Sequence, residues 1–175
     1  MRLATSDDVE RIEALMKASI HEIFPRFYAP EQIEPCVCYI GHLDTLLVED
    51  GTYFVEEDET GVIACGGWSR RFKLYAGSGS ADDDERLLDP ASEPARVRAM
   101  FVRGDRTRRG LGTRILEACN AAAKSEGFTQ LTLMATLPGL QLYSAWGFTP
   151  IEGVDIPLED GTLVAGVRME RAVRQ

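Results

Sequence analysis

The chain has 175 residues, enough for one domain with a real core. Its 45% hydrophobic and 27% charged residues are ordinary for a globular protein, and the net charge of −9 excludes a general nucleic-acid binder, which needs a basic footprint. No apolar run has the length that crosses a bilayer, and "MRLATSDDVERIEALM" is polar where a signal peptide would be apolar, so no membrane association is expected and the cytoplasm is the default compartment.

Along the chain, "TSDD" at 5–8 has the form of a capping box, with Thr5 at the N-cap and Asp8 three residues on. Val9, Ile12, Leu15, Met16, Ile20 and Ile23 then recur at helical spacing and predict an amphipathic helix over about 7–23. Pro25 and Pro30 bracket a break, after which a second helical stretch is expected from about 30 to 48. The runs 52–57 and 61–69, joined by "DETG", read as a hairpin. Residues 70–94 are rich in Gly, Ser, Asp and Pro and read as a long polar loop, with "DDDE" at 82–85 in solvent.

A third strand at 96–102 leads into "DRTRRGLGTRIL" at 105–116, and a helix is expected over about 110–126, stopping at Gly127. "TQLTLMAT" at 129–136 alternates as a strand does. A short helix at about 138–146 ends at Gly147, and strands near 148–156 and 162–170 close the chain. This order describes a single α/β domain over 1–175 with a mixed sheet. Cys36, Cys38, Cys65 and Cys119 are too few to frame a domain of this size with disulfides and are read as reduced, mostly buried thiols. With His21 and His42 the only histidines, no metal site is expected.

A strand, a loop carrying Gly110 and Gly112, and then a helix make an anion-binding design, because the first amides of a helix lack intrahelical acceptors and the dipole adds positive charge there. The loop is not a Walker loop, and Ile115 stands where a dinucleotide-binding turn would have its third glycine. On its own the stretch can hold any anion or serve as a charged turn. A second motif, "LYSAWGF" at 142–148, follows the strand and short helix.

Together "MFVRGDRTRRGLGTRIL" and "LYSAWGF" resemble the Gcn5-related N-acetyltransferase (GNAT) family, most sharply over 96–148. Two positions depart from the family pattern: Thr107 stands where an Arg or Gln is usual, and Thr136 where many relatives have Asn. The resemblance implies a GNAT-like acyl-CoA N-acyltransferase fold, α/β, with a mixed central sheet splayed after the fourth strand and flanked by helices. It also implies acetyl-CoA as co-substrate and direct transfer of the acetyl group to a primary amine of a small molecule or peptide.

By that resemblance, the amides of Arg108, Arg109, Gly110, Leu111, Gly112 and Thr113 would cradle the pyrophosphate, and the backbone of Met100 and Val102 would pair with the pantetheine arm. Phe101 would lend an amide near the thioester oxygen, Thr136 would join the cofactor contacts, and Tyr143 falls on the position of the general acid. A general base is not identified. The family's usual third-strand glutamate is replaced by Arg96 and Arg98, and Glu56, Glu57 and Glu93 remain as candidates with little to separate them.

Arg96 and Arg98 share a strand face and could meet an anionic group on the acceptor or the acidic run at 82–85, whereas the net charge favours a cationic acceptor. Trp68, Tyr75 and Trp146 are candidates for an acceptor pocket, with two of the three expected in the core. Homodimerisation stays open. Two other readings stand beside the enzyme: a non-catalytic module that senses acyl-CoA, and a phosphate-binding protein that uses the glycine turn alone.

Overall fold

The computed structural model describes residues 1–75 and 85–174. In chain order the elements are β1 (Arg2–Leu3), α1 (Val9–Ile23), α2 (Pro30–Tyr39), α3 (Leu46–Glu49), β2 (Tyr53–Asp58), β3 (Gly61–Ser69) and β4 (Ala95–Val102). They continue with α4 (Leu111–Ser125), β5 (Gln130–Thr136), α5 (Leu140–Trp146), β6 (Thr149–Pro157) and β7 (Leu163–Ala172). The strands form one sheet in the order β1-β2-β3-β4-β5-β7-β6. Every pairing is antiparallel except that of β4 with β5.

Helices cover both faces of the sheet. Beneath α4 and α5, Trp68, Val97, Ile115, Leu131, Leu133 and Phe148 are buried together. On the other face α1 buries Ile12 and Met16 against Tyr53 and Val55. Asp8 opens α1 by accepting from the Thr5 amide at 2.8 Å and from its hydroxyl at 3.1 Å. Arg2 reaches the same carboxylate at 2.6 Å, and Arg11 also bonds it. Arg2 foremost, with the Thr5 amide and hydroxyl, holds the Asp8 carboxyl well below the usual range against the effect of burial.

The expected helix over 30–48 is two helices. α2 ends at Tyr39, α3 begins at Leu46, and the chain between them is pressed against α1. A Cβ on Gly41 would lie 2.5 Å from the Val37 carbonyl oxygen and 2.9 Å from Lys17 Cγ, so this approach requires glycine. Asp44 Oδ1 then accepts the Leu46 amide at 3.2 Å and starts the next turn. β1, only two residues long, is too short for any periodicity to reveal.

The ends of the polar stretch 70–94 are also paired. Arg71 bridges Leu87, the Phe72 amide donates to the Arg86 carbonyl, and the Leu88 amide donates to the Arg70 carbonyl. The acidic run at 82–85 lies outside the described residues apart from Glu85.

The sheet opens between β4 and β5. The two strands pair only at Ala95↔Leu131 and Arg96↔Thr132 and then part. On its other side β4 stays with β3, but its register shifts between Cys65 and Gly67. The extra residue is Ala99, in the left-handed region at φ 51°. An alanine there costs about 1–2 kcal/mol. The buried Tyr53 hydroxyl donates to the Ala99 carbonyl at 2.6 Å and offsets part of that cost. Gly66 makes room opposite, because a Cβ on it would fall 2.7 Å from Met100 Cγ and 3.2 Å from Met100 Cα.

Candidate active site

A cavity of about 650 Å³ fills the opened gap. β4 contributes Val97 through Phe101 to its wall, β5 contributes Met134 and Thr136, and α5 contributes Tyr143. The remainder comes from 38–45, from Lys73, Leu74 and Tyr75, from Ile156 near the end of β6, and from Leu158 and Glu159 in the turn after it.

The bulge decides which backbone groups reach this gap. The Arg103 amide donates to the Ile63 carbonyl at 2.9 Å, and in the register Cys65↔Phe101 the bonded pairs alternate. Phe101 therefore turns its amide and carbonyl to β3, while those of Met100 and Val102 turn away from β3 toward the opening. The amide expected of Phe101 is committed to the ladder, and the Met100 amide takes its place facing the gap. Of the outward groups, the Val102 carbonyl accepts the Ser19 hydroxyl of α1 at 3.1 Å.

At the start of α4, Arg114 is the first residue whose amide finds a helical acceptor, the Gly110 carbonyl at 3.0 Å. Among the described residues, the amides of Arg108, Arg109, Gly110, Leu111, Gly112 and Thr113 have no acceptor. Gly110 at φ 78° and Arg108 at φ 62° turn the chain so that these amides converge. This cluster does not line the cavity itself but abuts the helix that does. Arg108 Nη1 donates to Gln141 Oε1 at 2.7 Å, and a Cβ on Gly112 would lie 2.6 Å from Leu142 Cδ2.

Tyr143 is 9% exposed, and its ring packs edge-on against Phe148. Its hydroxyl has no hydrogen-bond partner among the described residues, although the ring stands in the cavity wall. Burial, with the neighbouring Cys119 second, pushes its phenol well above the usual value, so the group is a proton-bearing donor at neutral pH. Thr136 ends β5 beside it. The next amide, of Leu137, is held by the buried Tyr28 hydroxyl at 2.8 Å, and that hydroxyl donates in turn to the Ala165 carbonyl at 2.8 Å.

The two arginines of β4 separate. Arg96 lies over the Phe72 ring and donates to the Phe72 and Pro94 carbonyls. Arg98, with a side chain 9% exposed, lines the cavity and donates to Asp44 Oδ2 at 2.9 Å, and Lys73 stands 3.5 Å from the same oxygen. Burial would raise the Asp44 carboxyl, but Arg98, Lys73 and the Leu46 amide outweigh it and hold it below its ordinary value.

Trp68 and Trp146 are core residues, and Tyr75 reaches the cavity. Of the thiols, Cys36, Cys65 and Cys119 are buried and free, and Cys38 is exposed at the cavity rim.

The three glutamates considered as bases lie elsewhere. Glu56 pairs with the N-terminal ammonium at 3.0 Å and Arg114 at 3.1 Å. Glu57 pairs with Arg2 and Arg11, each at 2.8 Å. Glu93 pairs with Arg86 at 2.7 Å, and that bond foremost lowers its carboxyl to about 2. Among the titratable groups in the cavity, the sequence reading weighed His42 only as a metal ligand and passed over Asp44 and Glu159. The signal available for the first two was the Gly41–Asp44 break, a glycine followed by a side chain able to cap Leu46.

A mixed sheet whose parallel pair parts beside a helix start defines the acyl-CoA N-acyltransferase class of fold. Solved structures agree across almost the whole chain. A GCN5-related N-acetyltransferase from Rhodopseudomonas palustris superposes with a TM-score of 0.69 at 15% identity, covering 98% of both chains. The PaiA N-acetyltransferase of Thermoplasma acidophilum, solved with coenzyme A, gives 0.67 at 13% identity, covering 98% of this chain and 96% of its own. A ribosomal-protein-alanine N-acetyltransferase from Brucella melitensis gives 0.62 at 15% identity, covering 98% of both. At these identities the likeness is one of fold.

No curated protein sequence matches the chain. The family model for the acetyltransferase (GNAT) domain matches residues 49–150, and the chain belongs to the GNAT acetyltransferase family. Among the described residues no helix is long and apolar enough to cross a membrane, and no group of His, Cys, Asp and Glu could hold a metal ion.

Proposed function

We propose that the protein transfers the acetyl group of acetyl-CoA directly to a primary amine of a small molecule or peptide. One juxtaposition carries this reading. The cavity has the outward-facing backbone of Met100 on one wall and the unpartnered, proton-bearing hydroxyl of Tyr143 on another. The amides of residues 108–113 suit a pyrophosphate, since they supply free donors and the positive end of the helix dipole. The strand backbone at Met100 and Val102 suits an extended pantetheine arm, which can add to the open edge of β4. The coenzyme A bound by the Thermoplasma acidophilum neighbour supports the same carrier here.

When bound, the thioester supplies an activated acetyl carbon and a thiol leaving group. The Met100 amide, aimed into the gap, donates to the carbonyl oxygen as negative charge gathers there. The Tyr143 hydroxyl donates to the sulfur. A free thiol near pKa 8.5 already sits below an ordinary phenol near 10, and burial widens that difference. Tyr143 thus acts by hydrogen-bonding the departing thiolate rather than by handing over its proton. Thr136, beside Tyr143 at the end of β5, closes the cofactor side of the gap.

Titration with acetyl-CoA followed by thiol release across an amine panel tests the reading. Tyr143→Phe should lower kcat by roughly 10²-fold, the range of one positioned proton-donating group, and leave acetyl-CoA affinity nearly intact. Full turnover by that variant would remove Tyr143 from the mechanism. Tight acetyl-CoA binding with no thiol release on any amine would instead favour an acyl-CoA sensor.

A further inference from the structure

We propose that His42, oriented by Glu13, is the general base that removes the proton from the incoming amine. The inference rests on the N-acetyltransfer reading and names the one group that reading leaves without a residue. An alkyl amine arrives almost entirely as its ammonium ion at neutral pH, so the acceptor side of the cavity must hold a proton acceptor.

Few groups can serve. Glu56, Glu57 and Glu93 are tied into ion pairs away from the cavity. Within the cavity, Asp44 is bound by Arg98, Lys73 and the Leu46 amide, so both its oxygens are already engaged by cations or a backbone donor. Glu159, exposed like His42, lies in the turn after β6, and no group among the described residues orients it.

His42 has what these carboxylates lack. It lines the cavity, and its Nδ1 lies 3.2 Å from Glu13 Oε1 on α1. The same oxygen accepts the Leu43 amide at 3.2 Å, which clips the loop to the helix. Burial would raise the Glu13 carboxyl, but the Leu43 amide and His42 outweigh it and keep it below its ordinary value. An ionised carboxylate only accepts hydrogen bonds, so Nδ1 carries the hydrogen and the lone pair sits on Nε2. A base oriented by a carboxylate behind it is the arrangement that recurs in nucleophilic catalysis. The close approach of Gly41 to Val37 and Lys17 holds this loop in place.

The protons balance. Nε2 takes one proton from the ammonium ion and later releases it to solvent. The freed nitrogen lone pair forms the C–N bond, the C–S bond breaks, and its electron pair leaves on sulfur beside Tyr143. The second amine proton passes to the thiolate, giving the amide and the free thiol. The charged groups around the imidazole are Glu13 and Lys17 from α1, Asp44 in its own loop, and Lys73, Arg98 and Glu159 lining the cavity. The Cys38 thiol and the Tyr39 and Tyr75 phenols complete the titratable lining.

The test uses the full chain, acetyl-CoA, three alkyl amines (spermidine, glucosamine and an alanyl peptide) and hydroxylamine, an amine already deprotonated at neutral pH. His42→Gln should lower kcat/KM for the alkyl amines roughly 10²-fold at neutral pH. Hydroxylamine turnover should stay near wild type, because that nucleophile needs no base. Glu13→Gln should likewise lower kcat/KM for the alkyl amines and spare hydroxylamine, since the imidazole loses the group that orients it. No loss with the alkyl amines, or equal losses with hydroxylamine and the alkyl amines, would overturn the assignment while leaving the acetyltransferase reading intact. No thiol release by the wild type with any amine, hydroxylamine included, would overturn both.

Discussion

The two sides of the opened sheet are built from different materials. On the side proposed for the acetyl-CoA donor the groups are backbone: the outward groups of Met100 and Val102, and six helix-start amides turned by Gly110 and Arg108. On the side proposed for the acceptor they are side chains brought from distant segments, with His42 and Asp44 after α2, Lys73 and Tyr75 after β3, Arg98 on β4 and Glu159 after β6. A backbone site needs only a short stretch of chain with the right glycines and turns. A side-chain site needs the whole fold. The donor side can therefore keep its form while the residues facing it vary, which is how one fold serves many acceptors.

The donor side breaks most severely at Gly66. A side chain there would enter space already held by Met100 and Ile115, and Met100 is itself the residue whose amide faces the gap. Gly66→Val should destabilise the fold by about 3 kcal/mol, the upper end for overpacking a core, and should weaken acetyl-CoA binding along with it. Denaturant melts and calorimetry on the same preparation check both effects. Normal acetyl-CoA affinity in a destabilised Gly66→Val protein would separate the bulge from the binding edge and refute the backbone account of that wall.

The acceptor side breaks at Asp44. Asn in its place leaves the nearly buried Arg98 with Lys73 as its charged neighbour, at a cost of about 2 kcal/mol once partial exposure is allowed for. Because the folded carboxyl lies below its ordinary value, its stabilisation is full above that ordinary range, about pH 4, and is lost as pH falls through the folded value. The gap in stability between wild type and Asp44→Asn should therefore be constant from neutral pH down to about 5 and shrink below 4. Acetyl-CoA affinity should be unaffected, and an equal loss of donor binding would mean that the two sides are not independent.

The same division decided how much could be read without coordinates. Gly110, Gly127 and Gly147 are all in the left-handed region, where the spacing of apolar residues places turns and helix ends. The strand at 96–102 and the helix after it lie where alternation and periodicity put them. The bulge at Ala99 escaped, because nothing local distinguishes an alanine at φ 51° from its neighbours. Its cause is Gly66 on another strand and Tyr53 on a third, and it moved the gap-facing amide from Phe101 to Met100. The break at 40–45 escaped for a similar reason, since Gly41 is required by contact with Lys17 of α1 rather than by a turn of its own. With that loop hidden inside an expected helix, His42 was weighed only as a metal ligand.

The finest test of the donor side sets charge against geometry. Arg109 is exposed, its side chain makes no direct hydrogen bond or ion pair among the described residues and feels only the nearby Asp105 carboxylate, and it stands next to Gly110 in the turn that gathers the free amides. If backbone amides hold the pyrophosphate, the Arg109 guanidinium adds only a screened attraction at a solvent-facing position. Arg109→Ala should then change stability by less than about 0.5 kcal/mol and weaken acetyl-CoA binding only a few-fold. That loss should fade as salt is added, because an exposed charge acts through a field that ions screen within about 10 Å at 0.1 M. A loss of a hundredfold or more that survives high salt would place the binding energy in a direct arginine contact. The free amides of α4 would then be secondary, and the donor side would depend on side chains as the acceptor side does.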